Sequence, residues 1–254
     1  MREGADARSG RVDASAPGSG SRRRVAILAP MPSELDPVRK RLGLSRAGGS
    51  DPDLFRGTVG RVEVVASLTG VGMRAAAARA ERMLASTSPD HLVVVGIAGG
   101  IGASVAIGDL VVPELVLDLA SGETFRPAPL GRRLPRGVLA SSDALLEAPD
   151  DALHLARQGV VAVDMETAAI ASVCERRGCP WSVFRAISDR ADDGTTDTAV
   201  FGLIGADGRP KPGAVARLVL THPGRIRQLV RLAGGARRAT RAAARAVATA
   251  LEGS

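Results

Sequence analysis

The 254-residue sequence is nearly devoid of aromatic side chains: they make up 2% of it, with no tyrosine and one tryptophan, Trp181. A core must therefore be built from Val, Leu, Ile and Ala, and a nucleic-acid surface would have almost nothing on which to stack bases. Cys174 and Cys179 are the only cysteines, and no histidine lies near them in sequence, so they make no metal site. Buried free thiols in a reducing cytoplasm are the expectation. No apolar run approaches the ~20 residues of a membrane span. Met1–Arg24 holds no hydrophobic stretch of the kind a secretory signal needs. Lysine is almost missing too, with only Lys40 and Lys211 among 34 basic residues.

What is present is aliphatic and unevenly charged. Hydrophobic residues account for 45% of the chain, enough for a sizeable core, and the length suits one large α/β domain or two small ones. The net charge of +7 lies at the ends: residues 1–24 carry +3 and residues 207–254 carry +8, which leaves the body at −4. Residues 1–23 (Gly, Ser, Ala, Arg and Asp without periodicity) read as a disordered basic tail. Arg24–Ala29 and His91–Ile97, apolar from Val25 and from Leu92 onward, are runs of the kind buried strands show. Pro32 opens a helix to about Leu42, with proline in the first turn, where a missing N–H costs nothing. Residues 53–67 read as a hairpin turning near Gly60, and an Ala-rich helix follows to about Ser86. Asp109–Leu117, Gly137–Ala140 and Trp181–Ile187 read as further strands. The order predicts an α/β fold with a mixed sheet. The last helix, expected over Gly224–Leu251 with an interruption at Gly234-Gly235, is basic and amphipathic. Its favoured reading is a solvated face on a helix docked to its own domain, ahead of contact with an anionic membrane surface.

Val161–Asp193 carries the chemistry. Asp164 and Glu166 follow one strand and Asp189 ends another, and ligands of open α/β sheets bind outside strand carboxyl ends. Gly70-Val71-Gly72, between a strand and a helix, would let backbone N–H groups approach an anion. Taken singly, Asp189 also reads as a helix cap and Glu34 as a first-turn acid favoured by the helix dipole.

Seven motifs occur in order: Pro30-Met31-Pro32-Ser33-Glu34, Gly70-Val71-Gly72, Gly96-Ile97-Ala98-Gly99-Gly100, Gly108–Val112, Ser142-Asp143-Ala144, Val163-Asp164-Met165-Glu166 and Arg185-Ala186-Ile187-Ser188-Asp189. Together they resemble the purine nucleoside phosphorylase and nucleosidase superfamily over about residues 24–195, most of all its 5′-methylthioadenosine/S-adenosylhomocysteine nucleosidases. The resemblance implies one domain over 24–233 with a central mixed, partly barrel-like sheet flanked by helices, and a basic helical extension over 234–254. It implies hydrolysis of an N-glycosidic bond with release of adenine. Asp189 would protonate the purine and Glu34 would activate water. Glu166 would bind the ribose hydroxyls and Met165 would pack under the sugar. Ser188 and the backbone around Leu146 would hold the base, and the Ala98-Gly99 turn would border base and sugar. An acid at the base and carboxylates near the sugar serve both ends of a breaking glycosidic bond. Asp189 would have to be protonated when it acts, which burial or a neighbouring carboxylate favours.

The resemblance implies no metal and no organic cofactor. It implies a cytoplasmic homodimer, and the apolar residues Val105–Ile107, Val116 and Leu117 of this chain are the expected contact. Phosphorylases of the superfamily carry arginines in the first-strand loop and before the central glycine turn, where this chain has Pro30-Met31-Pro32 and Val95-Gly96; water is therefore the expected nucleophile. Arg74 keeps a phosphorylase as the alternative. The segment from Asp207 to Leu232 is similar to the tail of hopanoid-associated phosphorylases, which release adenine from a lipid-linked nucleoside. A non-catalytic nucleoside-binding protein is the third reading. Leu145 stands where relatives often stack an aromatic on the adenine.

Overall fold

The computed structural model describes residues 22–144, 149–190 and, except Ile204, Ala206 and Pro210, 202–253. The tail expected over 1–23 therefore lies, up to residue 21, outside the described residues, as does Leu146.

Apolar alternation explains the layering. Strand β1 (Arg24–Ala29) lies parallel to β4 (Val62–Leu68) on one side and β5 (His91–Gly100) on the other. Its odd-numbered residues Val25, Ile27 and Ala29 join a core with Val93, Val95, Phe184 and Ala186. Its even-numbered residues Ala26 and Leu28 join a second core with Leu92, Val94, Trp181 and Val183. Strand side chains alternate between faces, so a continuously apolar strand demands cover on both. Helix α1 (Pro32–Leu42) and the last helix cover the first face, and α2 (Met73–Thr87) and α4 (Thr167–Arg177) cover the second.

The single mixed sheet has eleven strands among the described residues. The hairpin β3 (Leu54–Val59) and β4 turns at Gly60, whose φ of 58° suits glycine. Strand β2 (Ser45–Arg46) extends that edge. Strand β5 branches the sheet. Strand β11 (Trp181–Arg190) takes one of its edges along the whole length; β1 shares the other edge with β10 (Val160–Asp164), which pairs antiparallel at Gly99 and Gly100. Beyond β10 come β9 (Val138–Ser141), β7 (Leu115–Asp118) and β8 (Thr124–Phe125). The strand path does not return on itself, so the sheet is mixed as expected but does not close into a barrel.

Two expectations about single elements fail. The strand expected over Asp109–Leu117 is two: β6 (Leu110–Val111) pairs with β11, and β7 pairs with β9. Pro113 lies between them and cannot donate to a ladder. The interruption expected at Gly234-Gly235 falls inside a continuous helix. After α3 (Pro149–Arg157) and α5 (Pro212–Thr221), α6 runs unbroken from Ile226 to Glu252. Its second half belongs to the main core through Ala239, Ala243, Ala244, Val247, Ala248 and Leu251. Gly235 is what lets α6 approach the sheet: a Cβ there would stand 2.2 Å from the carbonyl oxygen of Ser188.

Candidate active site

Three buried carboxylates converge on one buried guanidinium. Glu34 reaches the cluster because Pro32 starts α1 and Glu34 falls at its third helical position. One carboxylate oxygen accepts the Met31 N–H at 2.8 Å, closing the helix start as a capping glutamate does; the other accepts the Ile97 N–H of β5 at 2.8 Å. The reading of Glu34 as a first-turn acid of α1 is therefore met, and the same side chain also reaches across to β5. Asp164 ends β10. It accepts from the Ser141 hydroxyl at 2.6 Å, from the Thr167 N–H at 3.2 Å and from the Thr167 hydroxyl, which pins the start of α4 to the sheet. Glu166, the residue that caps α4, accepts the Gly72 N–H at 3.1 Å.

Arg185 of β11 ties these together. Its Nη2 lies 2.7 Å from Asp164 and 3.1 Å from Glu166, and its Nη1 lies 3.7 Å from Glu34. The guanidinium is fully buried. Gly96 makes the meeting possible, since a Cβ there would stand 2.3 Å from both Arg185 Nη1 and Glu34 Oε1. Arg185 opens the motif Arg185–Asp189, and the resemblance assigns it no role. The signal was available: one charged residue inside the apolar run Trp181–Ile187, on a strand that must be buried on both faces.

One cation cannot balance three buried carboxylates, and the electrostatics reflect this. Burial pushes Glu34 from 4.5 up to about 7, against the pull of Arg185 and its two N–H donors. Burial also pushes Glu166 up, to about 8, with Arg185 opposing and Asp164 and Glu34 adding to the rise. For Arg185 burial works against the charge, but Asp164, Glu166 and Glu34 outweigh it and hold the group above its usual value. A carboxylate with its proton equilibrium near neutrality suits a general base.

Asp189 stands apart from this cluster at the end of the same strand. It lies four residues beyond Arg185, on the order of 12 Å along the chain. Its register against β5 shifts between Ile187 and Asp189, a bulge that turns its side chain relative to the ladder. The half-buried Asp189 carboxylate accepts a hydrogen bond from the Ser188 hydroxyl, which also lies 3.4 Å from the Ala98 carbonyl oxygen. Gly99, opposite Asp189, pairs with Val163 of β10. Met165 is half-buried between β10 and α4. So the structure groups Glu34 with Glu166, and Asp189 with Ser188, Ala98 and Gly99. The sheet edge is not the simple one expected: β10 runs antiparallel to β5 and β11 parallel to it, so Asp164 and Asp189 end strands that run in opposite directions.

The glycine turn also has a definite use. At the start of α2 the Gly72 N–H goes to Glu166, and the Met73 N–H goes to Asp143 at 2.7 Å. Gly72 has a φ of 98°, which admits glycine readily. Two of the N–H groups at this helix start, where a phosphate could be met, are thus taken by the chain's own carboxylates. The motif Ser142-Asp143-Ala144 does not by itself imply this role for Asp143.

Comparison with known proteins places this geometry in context. The family model for the phosphorylase superfamily matches residues 24–130 and 126–221. A curated 5′-methylthioadenosine/S-adenosylhomocysteine nucleosidase of Chromohalobacter salexigens is 28% identical over 201 residues, 66% of this chain and 85% of that protein. Among solved structures, the fold is shared with S-adenosylhomocysteine nucleosidase of Streptococcus pyogenes, at TM-score 0.69 and 20% identity over 92% of this chain and 98% of that one. It is shared equally with futalosine hydrolase of Helicobacter pylori, at TM-score 0.69 and 17% identity over 92% and 99% of the two chains.

Proposed function

The chain belongs to the phosphorylase superfamily, and from that footing we propose that it is a nucleosidase, an N-ribosyl hydrolase that splits an adenosine-type nucleoside such as 5′-methylthioadenosine or S-adenosylhomocysteine and releases adenine. The observation that carries the reading is Glu34: a buried carboxylate held by two backbone N–H groups, poised at about 7 beside Arg185. In the reaction the C–N glycosidic bond breaks and its electron pair leaves with the base. Asp189 gives its proton to the departing purine. A water oxygen bonds to the sugar carbon while Glu34 takes the water's proton, so the products are the free base and the free sugar. Glu166 receives the ribose hydroxyls and Met165 packs beneath the sugar. Ser188, Ala98, Gly99 and the chain near Leu146 border the base.

Water is favoured over phosphate by the occupied start of α2 and by the lack of arginine at residues 30–32, 95 and 96. Arg74, exposed at the start of α2, is the feature on which phosphorolysis of a purine or adenosyl-lipid nucleoside would rest. The protein works in the cytoplasm as a homodimer, on this reading. Of the expected dimer contacts, Val116 is fully buried in its own subunit's core, whereas Ile107 is 41% exposed and free to serve.

Incubation with methylthioadenosine or S-adenosylhomocysteine, with and without phosphate, tests the proposal. Adenine release at the same rate in both is expected. Release that requires phosphate and yields a ribose 1-phosphate would assign phosphorolysis, and inertness toward nucleosides would leave only binding. Asp189→Asn should lower turnover about 10²–10⁴-fold with the fold intact by circular dichroism; a variant that keeps most activity would place the acid elsewhere.

A further inference from the structure

The first turns of α6 and the helix before them carry apolar side chains that no described residue covers. Helix α5 reads PGAVARLVLT, yet none of its described side chains is buried, and Leu220 is 82% exposed. On α6, Ile226 and Val230 sit one turn apart on one face, 43% and 65% exposed. Three of the six large hydrophobics exposed among the described residues fall within these eleven positions. An apolar helix in a folded domain is ordinarily buried, so such a cluster marks a surface that meets something. The same stretch is strongly basic. From Gly208 to Leu251 the sequence has ten basic residues and no acid, and Arg217, Arg227 and Arg231 are exposed.

We infer that α5 and the first turns of α6 dock on an anionic lipid surface. Aliphatic side chains gain from acyl chains and arginines from anionic headgroups, the two terms that hold basic amphipathic helices at an interface. A second copy of this chain is a poor occupant, because an isologous contact would set one acid-free basic face against another. A nucleic acid would satisfy the arginines but leave the aliphatic groups unused, and residues 208–251 contain no aromatic residue to stack on bases. The patch is held firmly from both ends. The second half of α6 is built into the core. The turn before α5 rests on the site: a Cβ on Gly208 would stand 2.7 Å from the Pro30 carbonyl oxygen and 2.9 Å from the Met31 side chain, and Arg209 reaches Asp53 at 3.2 Å. The docking surface therefore adjoins the loop whose N–H holds Glu34.

Co-sedimentation of the full chain with vesicles tests this independently of any turnover. Binding is expected to vesicles of phosphatidylglycerol and phosphatidylcholine, to weaken at high salt, and to vanish with phosphatidylcholine alone. Arg227→Gln and Arg231→Gln should each lower partitioning about fivefold. Leu220→Ser with Val230→Ser should lower it further. All of these residues are exposed, so the variants should keep the fold and the rate on a soluble nucleoside. Failure to bind anionic vesicles, or binding indifferent to both sets of variants, would overturn the inference. So would an oligomer in solution that these variants dissociate, or vesicle binding that persists in the Leu220/Val230 variant while a DNA oligonucleotide binds both proteins equally well.

Discussion

The buried cluster around Arg185 and the arginine-rich stretch at the start of α6 contain the same kind of residue in opposite circumstances. Arg185 has no exposure and three carboxylates within 3.7 Å. Arg227 and Arg231 stand in solvent on a stretch with no acid in reach along the sequence. In the first region each charge is fixed by the others, and one change leaves the rest stranded without water. In the second each charge is solvated and contributes separately. Charge in a sequence therefore says little until burial is known, because the cost of an unpaired ion comes from lost hydration.

Breaking the first region should give the largest effect. Arg185→Met keeps an unbranched, though shorter, side chain and removes the charge, leaving three buried carboxylates without their cation. A loss of roughly 3–5 kcal/mol is expected by chemical denaturation. Arg185→Met at wild-type stability would mean the carboxylates are already neutral.

Next comes a pair of neighbouring glycines. Gly235→Ala drives a Cβ against the Ser188 carbonyl, beside Asp189, and should cost roughly 1–3 kcal/mol and depress turnover. Gly234→Ala meets nothing within 4 Å and should be neutral or slightly stabilising. Equal effects would mean α6 does not press on β11.

The pH response sharpens the comparison further. Glu34 and Glu166 have folded values raised to about 7 and about 8, so the stability they contribute is fully present below about 4.5 and is lost as pH rises through those values. The denaturation midpoint should fall between about pH 5 and pH 8. Turnover should move the opposite way, rising about tenfold per pH unit up to about 7 as Glu34 loses its proton. Glu34→Gln should remove that limb and flatten part of the stability loss. Activity that is flat below pH 7 would free Glu34 from the role of base.

The smallest effect is expected at the exposed arginines. Arg227→Ala should change stability by no more than about 0.5 kcal/mol. A larger loss would show that the stretch is packed rather than solvated.

Much of the fold was legible along the chain. The runs Arg24–Ala29 and His91–Ile97 had to be buried strands because no polar residue interrupts them, and Pro32 and Gly60 marked a helix start and a hairpin turn. The candidate site residues Glu34, Met165, Glu166, Ser188 and Asp189 follow from motifs. Their division into two groups does not, because it depends on β10 running antiparallel to β5 and on a bulge at the end of β11. Gly234-Gly235 read as a helix break, since glycine weakens an isolated helix; in the folded chain Gly235 is where α6 meets the sheet.

The sequence by itself determined the periodicities, the caps and the chemical types available: acids after strands, arginines at the ends, few aromatics. These depend on neighbours a few residues away. Tertiary structure alone decided which charges share a buried space, raising two glutamates toward neutrality and leaving the arginines of α6 in water. Dehydration and proximity set those properties, and both arise only when segments far apart in the chain are brought together.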